Sequence, residues 1–335
     1  MATIKDVASK AGVSMATASR ALSGAGPVSD EVRQRVLEAA AVLEYRVNKA
    51  ARSLRTHRTD TIGLLISDVR NPFFSEVAYT IEQEAAQQGQ AVIVMSADES
   101  VDGQHRALHA LLRQGVDGLI VVPQRGTISH FSFDTPMVFL DRSVDGLQVP
   151  TVQSDNKHGM RTLVDHLVHL GHREIALILG PQEASSGRER YEGAIQALAA
   201  HGLEPRPEWI QPGDFKLESG KLAVAALLTA KHRPSAIIAG DNLMAVGALL
   251  EARERGIQIG YDVALVSFDD APWFPVLDPP LTVVAQDTRA LGECALTRLN
   301  DLIAGQDTTS ATIPTQLIIR ESCRIAGTPA GRSRL

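Results

Sequence analysis

Short apolar runs alternate with stretches of helical periodicity over most of the chain. The runs are TIGLLIS (61–67), AVIVMS (91–96), GLIVVP (118–123), MVFLD (137–141), IALIL (175–179), AIIAG (236–240) and ALVSF (264–268). Apolar strands that alternate with helices are typical of parallel sheets covered on both faces. The alternation restarts after residue 155, so we predict two doubly wound α/β subdomains. A ligand would bind between them, at the carboxyl ends of the strands.

The first 45 residues have a different, all-helical pattern. Thr3 is a predicted N-cap for a helix over 4–11, and Ser14 for a helix over 15–22, with Gly12 between them. Ser29 begins a third helix, in which apolar residues recur at helical spacing. Two short helices joined by a tight turn with a glycine are typical of a helix-turn-helix.

Charge is divided unevenly between these two parts. Residues 1–58 hold ten Lys and Arg against five Asp and Glu, a net of +5. The remainder holds 23 (33 − 10) against 34 (39 − 5), a net of −11. A small basic module on an acidic body indicates that the head binds a polyanion. We expect a head at 1–46, a linker at 47–59 and a body at 60–330.

The cellular compartment follows from simple features of the sequence. Cys294 and Cys323 are the two cysteines of the chain, too few for a disulfide framework. The N-terminus, MATIKDVASKAG, has no apolar segment of a secretory signal, and no apolar run approaches the ~18 residues of a membrane span. We therefore expect a cytoplasmic protein without a membrane partner.

Motifs of enzymes are absent from the sequence. It contains no GxxxxGK[ST] phosphate loop, no HExxH and no GxSxG. His105 and His109, and the histidines at 166, 169 and 172, have spacings that could gather imidazoles, but no cysteine or carboxylate joins them at ligand spacing. We predict no catalytic residues, no metal and no cofactor. The alternative from another class is a cytoplasmic sugar-binding or sugar-modifying enzyme that the basic head only tethers.

The segment TIKDVASKAGVSMATASRALSG (3–24) closely resembles the helix-turn-helix of the lactose-repressor (LacI) family. The resemblance continues through NKAARSLR (48–55) and the body motifs NPFF (71–74), VFLDR (138–142), RERYEG (188–193) and SFDD (267–270). The body is also similar to periplasmic sugar-binding proteins, above all those that bind ribose. The resemblance implies a DNA-binding transcriptional regulator, most often a repressor, whose affinity for a palindromic operator is controlled allosterically by a small metabolite.

The candidate DNA-binding residues lie in the head and the linker. In a helix-turn-helix the second helix enters the major groove, where Arg20 can pair with guanine and Met15 and Ala16 can contact a thymine methyl group. The resemblance implies a hinge helix in the linker, with Leu54 as a wedge in the minor groove; a flexible basic tether is the alternative. The full candidate set is Thr3, Ser14, Met15, Ala16, Thr17, Ser19, Arg20, Asn48, Ala51, Leu54 and Arg55.

The candidate effector-binding residues come from the similarity to ribose binders. They are Asn71, Phe73, Phe74, Asp141, Ser154, Arg190, Phe215, Asp241, Asp269 and Gln286. Asp241 stands where the ribose binders have Asn. Aromatic faces combined with many polar groups suit a polyol, so we favour a pentose such as ribose. A purine, a nucleoside or another monosaccharide remains an alternative.

The resemblance also implies a homodimer formed through the body. Two heads related by a two-fold axis would recognise an inverted repeat in operator DNA. The C-terminal sequence AGTPAGRSRL has no leucine heptad, so we expect no tetramer held by a coiled coil.

Overall fold

The computed structural model describes residues 2–23, 26–45, 58–124 and 134–323. The chain divides into two compact units, Met1–Thr59 and Asp60–Leu335. Within the described ranges, no helix is both long enough and apolar enough to cross a lipid bilayer.

The described residues of the first unit form a bundle of three helices, as predicted. They are α1 (Ile4–Ala11), α2 (Met15–Ser23) and α3 (Asp30–Val42). Thr3 and Asp6 form a capping box at the start of α1, and Gly12 ends the helix in the left-handed conformation, with φ of 66°. The core is made of small and branched side chains, including Val7, Ala18 and Val36. Small residues let the three helices approach closely.

The second unit contains two sheets of six strands, and this confirms the predicted α/β class. The first sheet has the order β11-β5-β4-β3-β1-β2 and the second the order β12-β10-β9-β8-β6-β7. All neighbouring strands are parallel except β10 and β12. The strands are β1 (Thr61–Ile66), β2 (Ala91–Ser96), β3 (Gly118–Val121), β4 (Met137–Leu140), β5 (Thr151–Ser154), β6 (Ile175–Leu179), β7 (Ile210–Pro212), β8 (Ala236–Ala239), β9 (Ala264–Phe268), β10 (Thr282–Gln286), β11 (Ala311–Ile313) and β12 (Thr315–Ile318).

Helices cover both faces of each sheet, as expected for buried apolar strands. They are α4 (Pro72–Gln87), α5 (Val101–Arg113), α6 (Asn156–His169), α7 (Ser185–Ala200), α8 (Leu217–Thr229), α9 (Asn242–Glu254) and α10 (Thr288–Ile303). Each sheet has two apolar cores, one on each face.

Within the described residues, the chain passes between the two subdomains of the body three times. It leaves the first sheet after β5, returns after β10 through α10, and crosses again in the short connection from β11 to β12. These crossovers lie side by side, since the backbone nitrogen of Asp155 donates to the carbonyl of Ile313 at 2.9 Å. Short parallel connections of this kind allow two subdomains to rotate about a common hinge.

Candidate functional site

A small chamber lies between the two subdomains, at the carboxyl ends of the strands. The space reachable by the centre of a water-sized sphere is about 10 Å³, which is roughly the room for one water molecule. Both subdomains contribute side chains to its walls. The lining residues are Asn71, Phe73, Phe74, Glu99, Asp141, Arg142, Ser186, Arg190, Phe215, Asp241, Asp269 and Gln286.

Three of the lining residues adopt the left-handed backbone conformation, which is rare for residues other than glycine. Asp141 follows β4 with φ of 64°, Phe215 follows β7 with φ of 61°, and Asp269 follows β9 with φ of 69°. Such strain persists only where the surrounding structure imposes it, and it is concentrated at functional sites. Here it turns each side chain from the end of a strand into the chamber.

Aromatic rings form part of the chamber wall. Phe73 and Phe74 lie in the first turn of α4, with ring centroids 4.9 Å apart at an interplanar angle of 67°. Phe215 faces the guanidinium of Arg142, whose central carbon lies 5.0 Å from the ring centroid. Rings beside hydrogen-bonding groups are what a polyol with apolar and polar faces requires.

Arg142 and Glu99 form a buried, bidentate ion pair in the first subdomain. The two guanidinium nitrogens Nη1 and Nη2 donate to the two carboxylate oxygens of Glu99, each at 2.8 Å. Nη1 also donates to Oε1 of Gln124 at 3.2 Å. Two parallel hydrogen bonds hold the guanidinium and the carboxylate in a fixed relative orientation. Removing one partner of such a buried pair would leave the other charge uncompensated.

Arg190, on α7, is the arginine that the second subdomain contributes to the chamber wall. Its Nε donates to Oδ1 of Asn156 at 2.9 Å, and its Nη1 donates to the carbonyl of Gly240 at 2.8 Å. Nη1 also lies 3.5 Å from Oδ2 of Asp269, and the guanidinium stacks on Phe268 at 3.8 Å from the ring centroid. The side chain is therefore held at several points and presents a fixed cation to the chamber.

Burial raises the pKa of the chamber carboxylates. Desolvation brings the pKa of Asp141 to about 6, although the charges of Arg142 and Arg190 oppose the rise. Desolvation, reinforced by the charge of Asp269, raises the pKa of Asp241 to about 7. The pKa of Asp269 is raised by burial as well.

These shifts predict an unusual pH dependence of stability. A carboxyl whose pKa is higher in the folded state binds its proton more tightly there. Its contribution to the free energy of unfolding is therefore fully present below pH ~4 and is lost as the pH rises through 6 to 7. We expect Asp241→Asn to become more stabilising relative to the native protein as the pH rises from 5 to 8, by roughly 2–3 kcal/mol in the free energy of unfolding. Urea unfolding at several pH values measures this difference. A difference between the two proteins that stays constant over that range would contradict the assignment.

Direct contacts between the subdomains hold the chamber closed. Nδ2 of Asn242 donates to Oδ1 of Asn71 at 3.0 Å, and the backbone nitrogen of Ser143 donates to Oγ of Ser185 at 2.8 Å. Near them, Arg188 and Asp145 form an ion pair at 3.2 Å. A ligand as large as a monosaccharide requires these contacts to separate, or the side chains that fill the chamber to move.

The exposed start of α2 is the candidate surface for DNA in the head. Ser14 caps the helix, because its Oγ accepts from the backbone nitrogen of Thr17 at 3.1 Å. Met15 is 54% exposed although it is apolar, and Ala16 and Arg20 are exposed too. Nε of Arg20 donates to the carbonyl of Ala16 at 3.3 Å. An exposed methionine beside an arginine gives this helix face both an apolar and a cationic group.

Sequence reasoning named most of the chamber but not all of it. Nine of the ten candidate effector residues line the chamber, whereas Ser154 does not, because it is buried within β5 where the chain crosses to the second subdomain. Glu99, Arg142 and Ser186 were missed. In the head, Thr3 caps α1 and Ser19 is half-buried. Asn48, Ala51, Leu54 and Arg55 lie outside the described residues.

The histidines with ligand-like spacing lie in pairs or beside a cysteine. Nε2 of His105 and Nε2 of His109 lie 2.9 Å apart, and Nε2 of His166 lies 3.2 Å from Sγ of Cys323. Across the described ranges, no group of three or more His, Cys, Asp or Glu side chains is arranged to hold a metal ion.

Comparison with known proteins gives the same picture over nearly the whole chain. Residues 3–48 match the bacterial regulatory proteins of the lacI family, and residues 164–323 match a periplasmic binding protein-like domain. The HTH-type transcriptional repressor PurR of Erwinia tasmaniensis is 34% identical over 335 residues, covering 98% of each protein. The HTH-type transcriptional repressor CytR of Escherichia coli K12 is 33% identical over 329 residues, covering 96% of each.

Solved structures agree with these relatives. The lac repressor dimer bound to operator and the anti-inducer ONPF has a TM-score of 0.85 with this chain, at 31% identity, and the match covers 96% of this chain and 99% of that one. A putative ribose operon repressor from Burkholderia thailandensis has a TM-score of 0.72 at 32% identity, covering 78% and 99%. The helix-turn-helix head, the two-subdomain body and these matches together show that the chain belongs to the lacI family, as a DNA-binding transcriptional repressor with an effector-binding domain.

Proposed function

We propose that the protein represses transcription as a homodimer on a palindromic operator, and that a small polyol, most simply a pentose such as ribose, controls its affinity for that operator. The observation that carries the effector part is the chamber, where aromatic rings, fixed arginines and buried carboxylates meet between two subdomains. A nucleoside or another monosaccharide is the alternative effector. A free purine suits the chamber less, because several carboxylates would lie against an apolar ring face.

The homodimer is supported by the form of the related lac repressor, which is a dimer on its operator. One head has a small footprint, whereas two heads related by a two-fold axis would recognise an inverted repeat. In this proposal residues 1–46 form the head and residues 47–59 form a hinge helix, with Leu54 as the minor-groove wedge. Since its partner is operator DNA, we expect the protein to act in the cytoplasm.

Effector control would act through the angle between the two subdomains. A ligand that contacts both subdomains favours one closure angle, and the hinges connected to the body would move with it. If ligand and operator prefer different angles, each weakens the binding of the other by the same factor. For a catabolic sugar we expect release of the operator, that is, induction.

Arg20 provides a direct test of DNA recognition. A bidentate arginine–guanine pair contributes about 1–3 kcal/mol of discrimination, so Arg20→Ala should lower affinity by about 5- to 150-fold for each half-site of the operator and relax the preference at one base pair in each half-site. Electrophoretic shift with operator duplexes that vary at single positions measures both effects.

Lys10→Ala is the matched control, because Lys10 is an exposed cation in the last turn of α1. It should weaken binding by a smaller factor that is the same for every sequence, and affinity should fall steeply with salt as counterions are released from phosphates. If Arg20→Ala weakened binding to all sequences equally, the result would indicate that Arg20 contacts a phosphate and would contradict the proposed base contact. Binding indifferent to salt would contradict DNA binding through the basic head.

A further inference from the structure

Among the residues that the structure describes, those lining the chamber carry more negative than positive charge. They include four carboxylates, those of Glu99, Asp141, Asp241 and Asp269, and two arginines, Arg142 and Arg190. All are almost completely buried except Glu99, whose side chain is still only 9% exposed. With every group ionised, the enclosed site has an excess of two negative charges, which is costly in a region that water scarcely reaches.

The ion pairs show which carboxylates account for this excess. Arg142 is bound to Glu99 through both of its terminal nitrogens, and Arg190 lies closest to Asp269. Asp141 lies 3.4 Å from Nε of Arg142, which is already paired with Glu99. Among the described residues, Asp241 forms no ion pair with any cation, and one of its oxygens is used to cap α9 by accepting from the backbone nitrogen of Met244 at 2.7 Å.

The unused hydrogen-bonding atoms around the chamber are chiefly acceptors. Within the described part of the chain, Oδ1 of Asp141, Oδ2 of Asp241 and Oε1 of Gln286 are buried and have no hydrogen-bond partner. Buried polar atoms without partners are uncommon in folded proteins, and each points to a missing ligand or water. One donor of the chamber wall, Nε of Arg142, also has no hydrogen-bond partner and lies 3.4 Å from Oδ2 of Asp141. The unpartnered acceptors thus outnumber the donor by three to one, and two of them belong to carboxylates.

We propose that the effector is a polyol that carries a protonated amine, and that Asp241 forms the centre of its ammonium subsite. The inference rests on the proposed function, because it refines the class of small polyol that the chamber binds. An ammonium group supplies three donors and one positive charge, whereas each hydroxyl of a neutral pentose supplies one donor and no charge. The charged group thus satisfies both the excess of acceptors and the excess of negative charge.

The residue at position 241 is where this chain departs from the ribose binders that its body resembles. They have Asn there, and Asn has the size and shape of Asp but no charge. An uncharged residue suffices to bind a neutral sugar hydroxyl, so a carboxylate at the same place adds an ionic preference without changing the shape of the site. A substitution at position 241 can therefore distinguish binding of a charged effector from binding of ribose.

Binding of an ammonium would be coupled to release of a proton. The groups that face the chamber are Glu99 after β2, Asp141 and Arg142 after β4, Arg190 on α7, Asp241 after β8 and Asp269 after β9. Lys216 and Asp214 line an adjoining pocket of about 290 Å³ that shares Glu99 and Arg142. Because the pKa of Asp241 is about 7, part of the protein holds a proton there at neutral pH. The incoming cation would take the place of that proton, which passes to the solvent.

The experiment compares isosteric ligands on the full-length protein by calorimetry. The probes are D-ribose, an aminodeoxyribose and the ribofuranose analogue in which a protonated nitrogen replaces the ring oxygen. Each is titrated into the native protein, into Asp241→Asn and into Asp214→Asn, at pH 5.5 and 7.5 and in buffers of different ionisation enthalpy. Asp214 is exposed and lies outside the chamber, so its variant controls for the loss of one negative charge.

We expect at least one amine to bind the native protein about tenfold or more tightly than ribose, with proton release and higher affinity at pH 7.5. Asp241→Asn should remove most of that preference, measured as the ratio of the amine and ribose affinities in the same protein, while Asp214→Asn leaves the ratio unchanged. Tighter binding of ribose than of both amines, with no effect of Asp241→Asn on the preference, would overturn the ammonium subsite but support the pentose-controlled repressor. If none of the three probes bound, both the subsite and the pentose effector would be wrong.

Discussion

Full-length protein that selects duplexes from a random DNA pool is expected to enrich an inverted repeat rather than a single half-site. One helix-turn-helix contacts only a few base pairs, so a specific site requires two heads that act together. Linking two heads in a dimer raises the overall affinity by about 10²- to 10⁴-fold over one head. Disrupting one half of the repeat should therefore lower affinity by a factor in that range.

The measurement is titration of the intact repeat, of a repeat with one half scrambled, and of a repeat whose halves are separated by half a helical turn. The third duplex is the control for geometry, because it keeps the base-pair sequence of both half-sites but places one half-site on the opposite face of the DNA. We expect it to bind as weakly as the scrambled duplex. Equal affinity for all three duplexes would contradict a symmetric dimer and would fit a single head on a flexible tether.

Arg142→Met is expected to cause a large loss of stability in the body. The substitution keeps an unbranched side chain but removes the charge that neutralises Glu99, and Asp141 also loses its nearest cation. Removing one partner of a buried ion pair costs about 3–5 kcal/mol, because it leaves an uncompensated buried charge. Urea unfolding, monitored by a signal from the body, measures the change.

Glu99→Gln is the matched control and should cost clearly less. This substitution removes the anionic partner of the same pair. Arg142 still has the carboxylate of Asp141 at 3.4 Å and a hydrogen bond to Gln124 at 3.2 Å. It also lowers the excess of negative charge in the chamber. The difference between the two variants thus tests the charge balance itself, and equal losses of stability would contradict it.

The sequence predicted the head helices, six of the seven described body helices and the central strands because their signals are local, but it did not predict α10. Caps at Thr3, Ser14 and Ser29 mark the starts of the head helices, and continuous apolar runs mark strands that are buried on both faces. The strands that were not predicted are β5, β7, β10, β11 and β12. Four of them are three or four residues long, and several include polar or half-buried positions, so their identity depends on pairing with residues far along the chain.

The chamber was predictable where a residue followed a strand in a recognisable motif. Asp141 and Asp269 come directly after β4 and β9, and motifs shared with ribose binders contain them. Arg142 is in one of the same motifs, VFLDR, and could have been found there. Glu99 lies in a polar loop after β2 with no local signal, because its role comes entirely from Arg142, which is distant in sequence. The burial of the chamber side chains and the balance of their charges depend on the folded structure, so the sequence could not predict them.

The most direct test of the account is the reciprocal coupling between effector and operator. The dissociation constant of the selected operator is measured with and without a saturating ligand, and that of the ligand with and without operator. A repressor whose hinges respond to the closure of the chamber predicts a change of about 5- to 150-fold, by the same factor in both directions. Ligands that bind the chamber but leave operator affinity unchanged would contradict it.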